Sequence, residues 1–180
     1  MTQPPGTGSL VDQLNDLRRQ VAELARKAPS MPACRAALTL STVKIGSGDT
    51  FAQANWGAAE DPFGWFTPAA GGNFSYITVG LSGYYQLTYR STTTGLASGA
   101  VAGSKVTLNA GNVANSVASD LVVSSGQAEG CVQSAFRARI PLSAGDRIFW
   151  SNYCSTTTGS LVASSFGIPT ECTVQFISSR

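Results

Sequence analysis

Two copies of one hydroxyl-rich pentapeptide, Ser91-Thr92-Thr93-Thr94-Gly95 and Ser155-Thr156-Thr157-Thr158-Gly159, are the residues of this chain best placed to meet a ligand. Serine and threonine hydroxyls both donate and accept hydrogen bonds, and Tyr89 and Tyr153 stand just ahead of the two copies. Hydroxyls beside aromatic rings suit a neutral polar target such as a glycan, because hydroxyls exchange hydrogen bonds and rings stack on sugar faces. Bond-making chemistry has little to draw on. The 180 residues include no histidine, which removes the usual general base, the nucleophilic triad and most zinc sites. No C-x-x-C pair, Walker loop or G-x-G-x-x-G stretch occurs, and the ten carboxylates are dispersed without a D-x-D-x-D ladder for calcium. Asp146, after Gly145, reads as a cap on local N–H groups in a turn. The expectation is a non-enzyme with no metal site and no cofactor.

Bulk properties narrow the partners. With 43% hydrophobic and 12% charged residues, the chain can bury one substantial core beneath a surface dominated by Ser, Thr, Asn, Gln and Gly. A net charge of +2, with Lys and Arg scattered, argues against nucleic acid and against an anionic membrane. No apolar run approaches the roughly twenty residues that span a bilayer, so membrane insertion is not expected. Met1 to Gly8 lacks the basic-then-apolar layout of a secretory signal. Four cysteines in a strand-rich domain would ordinarily indicate secretion, and release by cell lysis reconciles the two observations.

Two kinds of element must position these residues. Leu10, Leu14, Leu17, Val21, Leu24 and Ala28 form a heptad-spaced apolar stripe, with Leu14, Val21 and Ala28 at a and Leu10, Leu17 and Leu24 at d. Ser9 offers an N-cap, Arg19–Glu23 and Glu23–Lys27 are favourable i, i+4 pairs, and Pro29 and Pro32 end the helix. The implied organisation is a leader over 1–8, a coiled-coil helix over 9–28, a linker over 29–34 and a β-domain over 35–180. From Cys34 the period changes from 3.6 to 2. A first strand over 37–44 precedes an irregular stretch through Trp56, Phe63, Trp65 and Phe66. Strands follow at Phe74 to Val79, Tyr84 to Arg90, Lys105 to Asn109, Val117 to Val123, Val132 to Leu142, Arg147 to Tyr153 and Cys172 to Ile177. Eight strands with no second helix predict an all-β, antiparallel sandwich or barrel.

Gly72-Asn73-Phe74, Leu81-Ser82-Gly83-Tyr84-Tyr85-Gln86-Leu87, Ala138-Arg139-Ile140-Pro141-Leu142-Ser143-Ala144-Gly145-Asp146-Arg147-Ile148 and the closing Gln175-Phe176-Ile177 resemble the C1q/tumour-necrosis-factor jelly roll. Ser82 stands where that family often has Pro, and the last strand lacks its F-S-G-F signature. The resemblance implies an eight-stranded jelly roll and a compact homotrimer with its N-termini gathered at one end. In such a fold both Ser-Thr-Thr-Thr-Gly loops would lie at the tip, opposite the termini. That makes Thr92, Thr93, Thr94, Thr156, Thr157, Thr158, Tyr89 and Tyr153 the candidate glycan-binding residues. Cys131, Cys154 and Cys172 would lie toward the same tip. A Cys154–Cys172 disulfide is then favoured over Cys131–Cys154, with four reduced thiols as the alternative.

A signal-less β-trimer on a short helical stalk is similar to minor tail proteins of tailed bacteriophages. The expectation is a virion protein docked to other virion proteins through its leader and helix, its tip facing a host cell-surface glycan. The alternatives are a capsid decoration protein or head fibre, and a cellular C1q-like secreted ligand.

Overall fold

The computed structural model describes residues 13–20, 31–53, 55–126, 130–165 and 167–179. The chain divides into two units, 1–30 and 31–180. In the first, residues 13–20 are helical, and Asp16 accepts hydrogen bonds from Arg19 (2.6 Å) and Gln20 (2.9 Å). Leu14 and Leu17 are 50% and 58% exposed. The other stripe residues, Leu10, Val21, Leu24 and Ala28, and the Glu23 pairs lie outside the described residues. Among the described residues no helix is long and apolar enough to cross a membrane.

The second unit is built of strands. β1 (Ala33–Leu38), β2 (Thr42–Lys44), β3 (Gly48–Phe51), β4 (Trp56–Glu60) and β5 (Phe66–Thr67) come first. β6 (Tyr76–Thr78), β7 (Gly83–Thr94), β8 (Val101–Leu108), β9 (Ser116–Val123) and β10 (Cys131–Leu142) follow. β11 (Arg147–Cys154), β12 (Ser160–Val162), β13 (Ser164–Ser165), β14 (Ile168–Pro169) and β15 (Glu171–Ser178) complete the chain. One sheet runs β2-β12-β7-β15-β1-β4 with β10 on the other side of β7, and the second runs β5-β6-β11-β8-β9 with β3 against β11. The pairings are antiparallel, and the two sheets form a jelly-roll sandwich.

Alternation fills the space between the sheets. β7 turns Tyr85, Leu87 and Tyr89 inward, β15 contributes Cys172 and Val174, and β11 answers with Ile148 and Trp150, all fully buried. Entry to and exit from the sandwich share one end, where the Phe176 N–H donates to the Pro32 carbonyl at 2.8 Å. That end is called the base.

Strands β6, β9, β10, β11 and β15 fold close to their sequence-based bounds, whereas β7 and β8 each extend four residues further, β12 to β14 fill an expected loop, and the first strand and the stretch after it also differ. The expected first strand over 37–44 breaks at 39–41, because both the N–H and the hydroxyl of Thr39 turn to the Asn55 carbonyl, at 2.7 and 2.6 Å. The stretch expected to be irregular contains β3, β4 and β5. Its turn is held by the Asp61 carboxylate, which accepts from the N–H groups of Trp65 (2.7 Å) and Phe66 (2.9 Å), and Trp56 and Trp65 enter the core.

Candidate functional site

The two pentapeptides have different fates. Residues 91–94 are not a loop: they are the last four residues of β7, paired with β10 on one side and β12 on the other. β15 stops covering β7 at the Glu171–Arg90 pair, and β12 takes over at Thr92 to Thr94. Ser91, Thr92 and Thr93 are therefore buried, and Tyr89 is wholly so. These residues build a polar core. Tyr89 donates to Asn152 Oδ1, Asn152 Nδ2 donates to Ser91 Oγ (2.7 Å), and Ser91 donates to Gln133 Oε1 (3.0 Å). Ser104 completes the set at 2.7 Å from Ser91, and Gln133 Nε2 donates to the Cys131 carbonyl at 2.6 Å. The chain of bonds ties β7 to β10, β8 and β11. Burial removes Tyr89, Thr92 and Thr93 from any external ligand, and Thr94 is half-buried with its hydroxyl on the Ser160 carbonyl at 3.4 Å.

Residues 155–159 form a turn beyond β11, at the end opposite the base. Its hydroxyls are spent locally: Ser155 Oγ accepts from the Val101 N–H (2.9 Å), and Thr156 lies 3.5 Å from Cys154 Sγ and 3.2 Å from the Thr158 hydroxyl. Thr157 and Thr158 are exposed. Tyr153 faces away from this turn and lies under the Lys105 ammonium at 4.9 Å. The sequence brought these eight residues to one surface, and the fold leaves only Thr156, Thr157 and Thr158 together there.

All four cysteines are free thiols. Cys154 and Cys172 face inward from opposite sheets, which stand about 10 Å apart, whereas a disulfide needs Cα atoms roughly 4.4–6.8 Å apart. Cys34 and Cys172 lie on one face of the neighbouring strands β1 and β15, in register with Val174 and Ala36. Burial, then the Asp61 carboxylate through charge and hydrogen bonding, then Glu60, push the Cys34 thiol up to about 12. Burial, then Cys34 and Glu171, hold the Cys172 thiol well above its ordinary value.

A surface that sequence reasoning missed lies on the outward face of the second sheet. Register sets it. Ile77 and Ile148 pair and point into the core, so Tyr76, Arg147 and Phe149 point out. The loop over 68–74 crosses this face. It is pinned from beneath by the buried Ser75 hydroxyl, which accepts from the Ala69 N–H (3.0 Å) and donates to the Gln53 carbonyl (2.9 Å). Phe74, carried on that loop, stacks on Phe51 with ring centroids 5.0 Å apart, and Tyr76 packs on Phe149 at 5.3 Å. Two depressions flank Phe74. One, about 370 Å³, is lined by Thr67, Asn73, Phe74, Tyr76, Arg147 and Phe149 among others. The second, about 310 Å³, is lined by Gln53, Asn55, Asn73 and Phe74 and shares the loop wall of the first. The Arg147 guanidinium stands 5.0 Å over the Tyr76 ring, and among the described residues no carboxylate lies within ion-pair distance of it. The nearby Lys105, by contrast, is paired with Asp49 at 2.9 Å. Asp146 caps its turn, accepting from the Ser143 N–H (2.7 Å) and from Asn109 Nδ2 (2.8 Å).

A second surface runs along the edge where β9 and β10 end their sheets. Asp120 on β9 accepts from the Ser134 N–H of β10 at 2.8 Å and satisfies part of the open edge. Leu121, Val123 and Phe136 remain more than half exposed, and Val132 is exposed beside them.

The sequence matches no family model and no curated protein. The fold does have solved counterparts. An Eiger TNF from S. frugiperda matches with a TM-score of 0.56 at 14% identity, over 84% of this chain and 95% of that one. The globular domain of zebrafish complement 1qA matches with a TM-score of 0.56 at 15% identity, over 83% and 99%. Murine APRIL at pH 8.0 matches with a TM-score of 0.53 at 15% identity, over 81% and 98%. The β-unit therefore has the TNF/C1q jelly-roll fold.

Proposed function

We propose that this jelly-roll chain is a structural protein of a tailed bacteriophage virion, a homotrimeric minor tail or tail-tip protein that meets the host cell surface. Its leader and helix seat it on other virion proteins, and lysis releases it with the particle. The observation that carries the assembly is the apolar rim of Leu121, Val123, Val132 and Phe136, side chains that a solitary sandwich would leave in water. Burying such surface against another copy gains about 25 cal/mol per Å². In a closed ring of three the contact is heterologous, the rim of one copy meeting a different face of the next. The outward face of the first sheet offers flat ground for it, with Thr88 opposite Thr173 and Gln86 opposite Gln175. Leu14 and Leu17, exposed on the helix, supply a second seam of the same kind. Three weak surface sites on one axis then bind by avidity.

The test has two arms. Sedimentation of the full chain should return three times 18.6 kDa, and Leu121→Asp with Phe136→Asp should return the monomer. A monomeric wild type overturns the assembly. Electron microscopy of purified particles should place the trimer at the tail tip, and density on the shell would make it a capsid decoration protein or head fibre. The complement 1qA and TNF neighbours favour a second reading, a cellular C1q-like ligand, which particles devoid of the protein would support.

A further inference from the structure

We propose that the cleft on both sides of Phe74 binds a sugar ring bearing a carboxylate, the ring lying on Phe74 and Tyr76 and the carboxylate meeting Arg147. This deepens the host-contact reading and rests on it only for where such a sugar is met.

Six features converge on that ligand. The wall is aromatic and faces outward, the arrangement on which the C–H face of a sugar stacks. Its single cation has no carboxylate within ion-pair distance among the described residues, whereas Lys105, farther along the same outward face, is held by Asp49 at 2.9 Å. A guanidinium lying on a ring keeps its fork of donors in a fixed plane, and that fork matches a carboxylate bidentately. The amides of Asn73, Gln53 and Asn55 border the same loop and can both donate to and accept from ring hydroxyls. Depressions of about 370 and 310 Å³ fall at the small end of ligand sites, which begin near about 300 Å³. The Ser75 anchor holds the loop before any ligand arrives, so little ordering is lost on binding.

Isothermal titration of the 180-residue chain with trigalacturonic acid, with uncharged maltotriose and with sodium sulfate tests the assignment. Trigalacturonate should bind, and maltotriose and sulfate should each bind at least about tenfold more weakly, the loss expected when one charged hydrogen-bonded contact or the ring is missing. Arg147→Gln should lose about tenfold toward trigalacturonate with little change in melting temperature, since the Arg147 backbone bonds to Asn109, through both N–H and carbonyl, survive and only an exposed contact with the Tyr76 ring is lost. Arg147→Lys should fall between the two. A wild type that ignores trigalacturonate at about 10 mM, or an Arg147→Gln variant that binds it as well as wild type, overturns the site. Particle microscopy is read separately. A protein missing from particles sinks the virion reading while leaving sugar binding intact, and a tail-tip protein blind to trigalacturonate sinks only the cleft.

Discussion

Ser91-Thr92-Thr93-Thr94-Gly95 and Ser155-Thr156-Thr157-Thr158-Gly159 are identical in sequence, yet one is interior strand and the other surface turn. Their neighbours account for the difference. The first continues a strand that already has β10 along its whole length and gains β12 on its far side, and this encloses it: Ser91 and Thr93 find partners there, whereas the Thr92 hydroxyl is buried without one. The second begins where β11 loses its pairing with β8 and β3, both of which end opposite Cys154. Strand pairing on both sides, rather than hydroxyl bonding, makes one copy interior, since the exposed turn also bonds its Ser155, Thr156 and Thr158 hydroxyls.

Substitutions at matched positions can break this comparison. Thr93→Asp places an unpaired carboxylate in the core and should cost about 3–5 kcal/mol in urea unfolding. Thr157→Asp should stay within about 0.5 kcal/mol, and equal losses would refute the assignment. Next in size, Ser91→Ala leaves Asn152, Ser104 and Gln133 short of a partner and should cost about 1–3 kcal/mol. Ser155→Ala loses one exposed bond from the Val101 N–H and should cost about 0.5–1 kcal/mol.

The closing glycines differ in kind. Gly95 has φ +71°, so Gly95→Ala should cost about 1–2 kcal/mol and Gly95→Asn, which tolerates that conformation, less. Gly159 needs space instead: a Cβ there would stand 2.9 Å from Cys154 Sγ, and Asn should be no better tolerated than Ala. Thermal melts of the four variants separate strain from crowding.

A smaller effect, absent at neutral pH, concerns the thiols beside the buried copy. Cys172 sits opposite Tyr89, and Cys34 is raised from 9.0 to about 12. Below about 8.5 the folded and unfolded chains both keep these protons. Between there and about 12 the unfolded chain releases them first, so stability should fall as pH rises through that window. Denaturant midpoints measured from pH 7 to 11 check the slope. At pH 8 a thiol reagent should leave Cys34 and Cys172 unmodified until unfolding, and ready labelling of the native protein would contradict their burial.

The legible part of the fold was its alternation. Leu87 and Tyr89 stand out against Gln86 and Thr88, and β7 and β15 could be read from such contrasts, whereas β10 buries Gln133 and exposes Val132 and Phe136. The signal vanished at Ser91 to Thr94, where inward and outward residues are all Ser or Thr and polarity no longer marks a face. The missed cleft failed for another reason. Tyr76, Arg147 and Phe149 look like alternate residues of two unrelated strands, and only the Thr78–Arg147 and Ile77–Ile148 pairs make them neighbours. Gly72-Asn73-Phe74 was noticed as a family-like motif, but its sequence does not say that the loop folds back over β11.

On the proposed reading, the lateral aromatic cleft, and not the hydroxyl turn at the far end, is the surface that meets a ligand. Amide spectra of isotopically labelled protein titrated with trigalacturonic acid test it directly. Shifts should be confined to residues 67–76, 111 and 147–149, with 155–159 unmoved. Shifts centred on Thr156, Thr157 and Thr158, with Tyr76 and Arg147 silent, would contradict it.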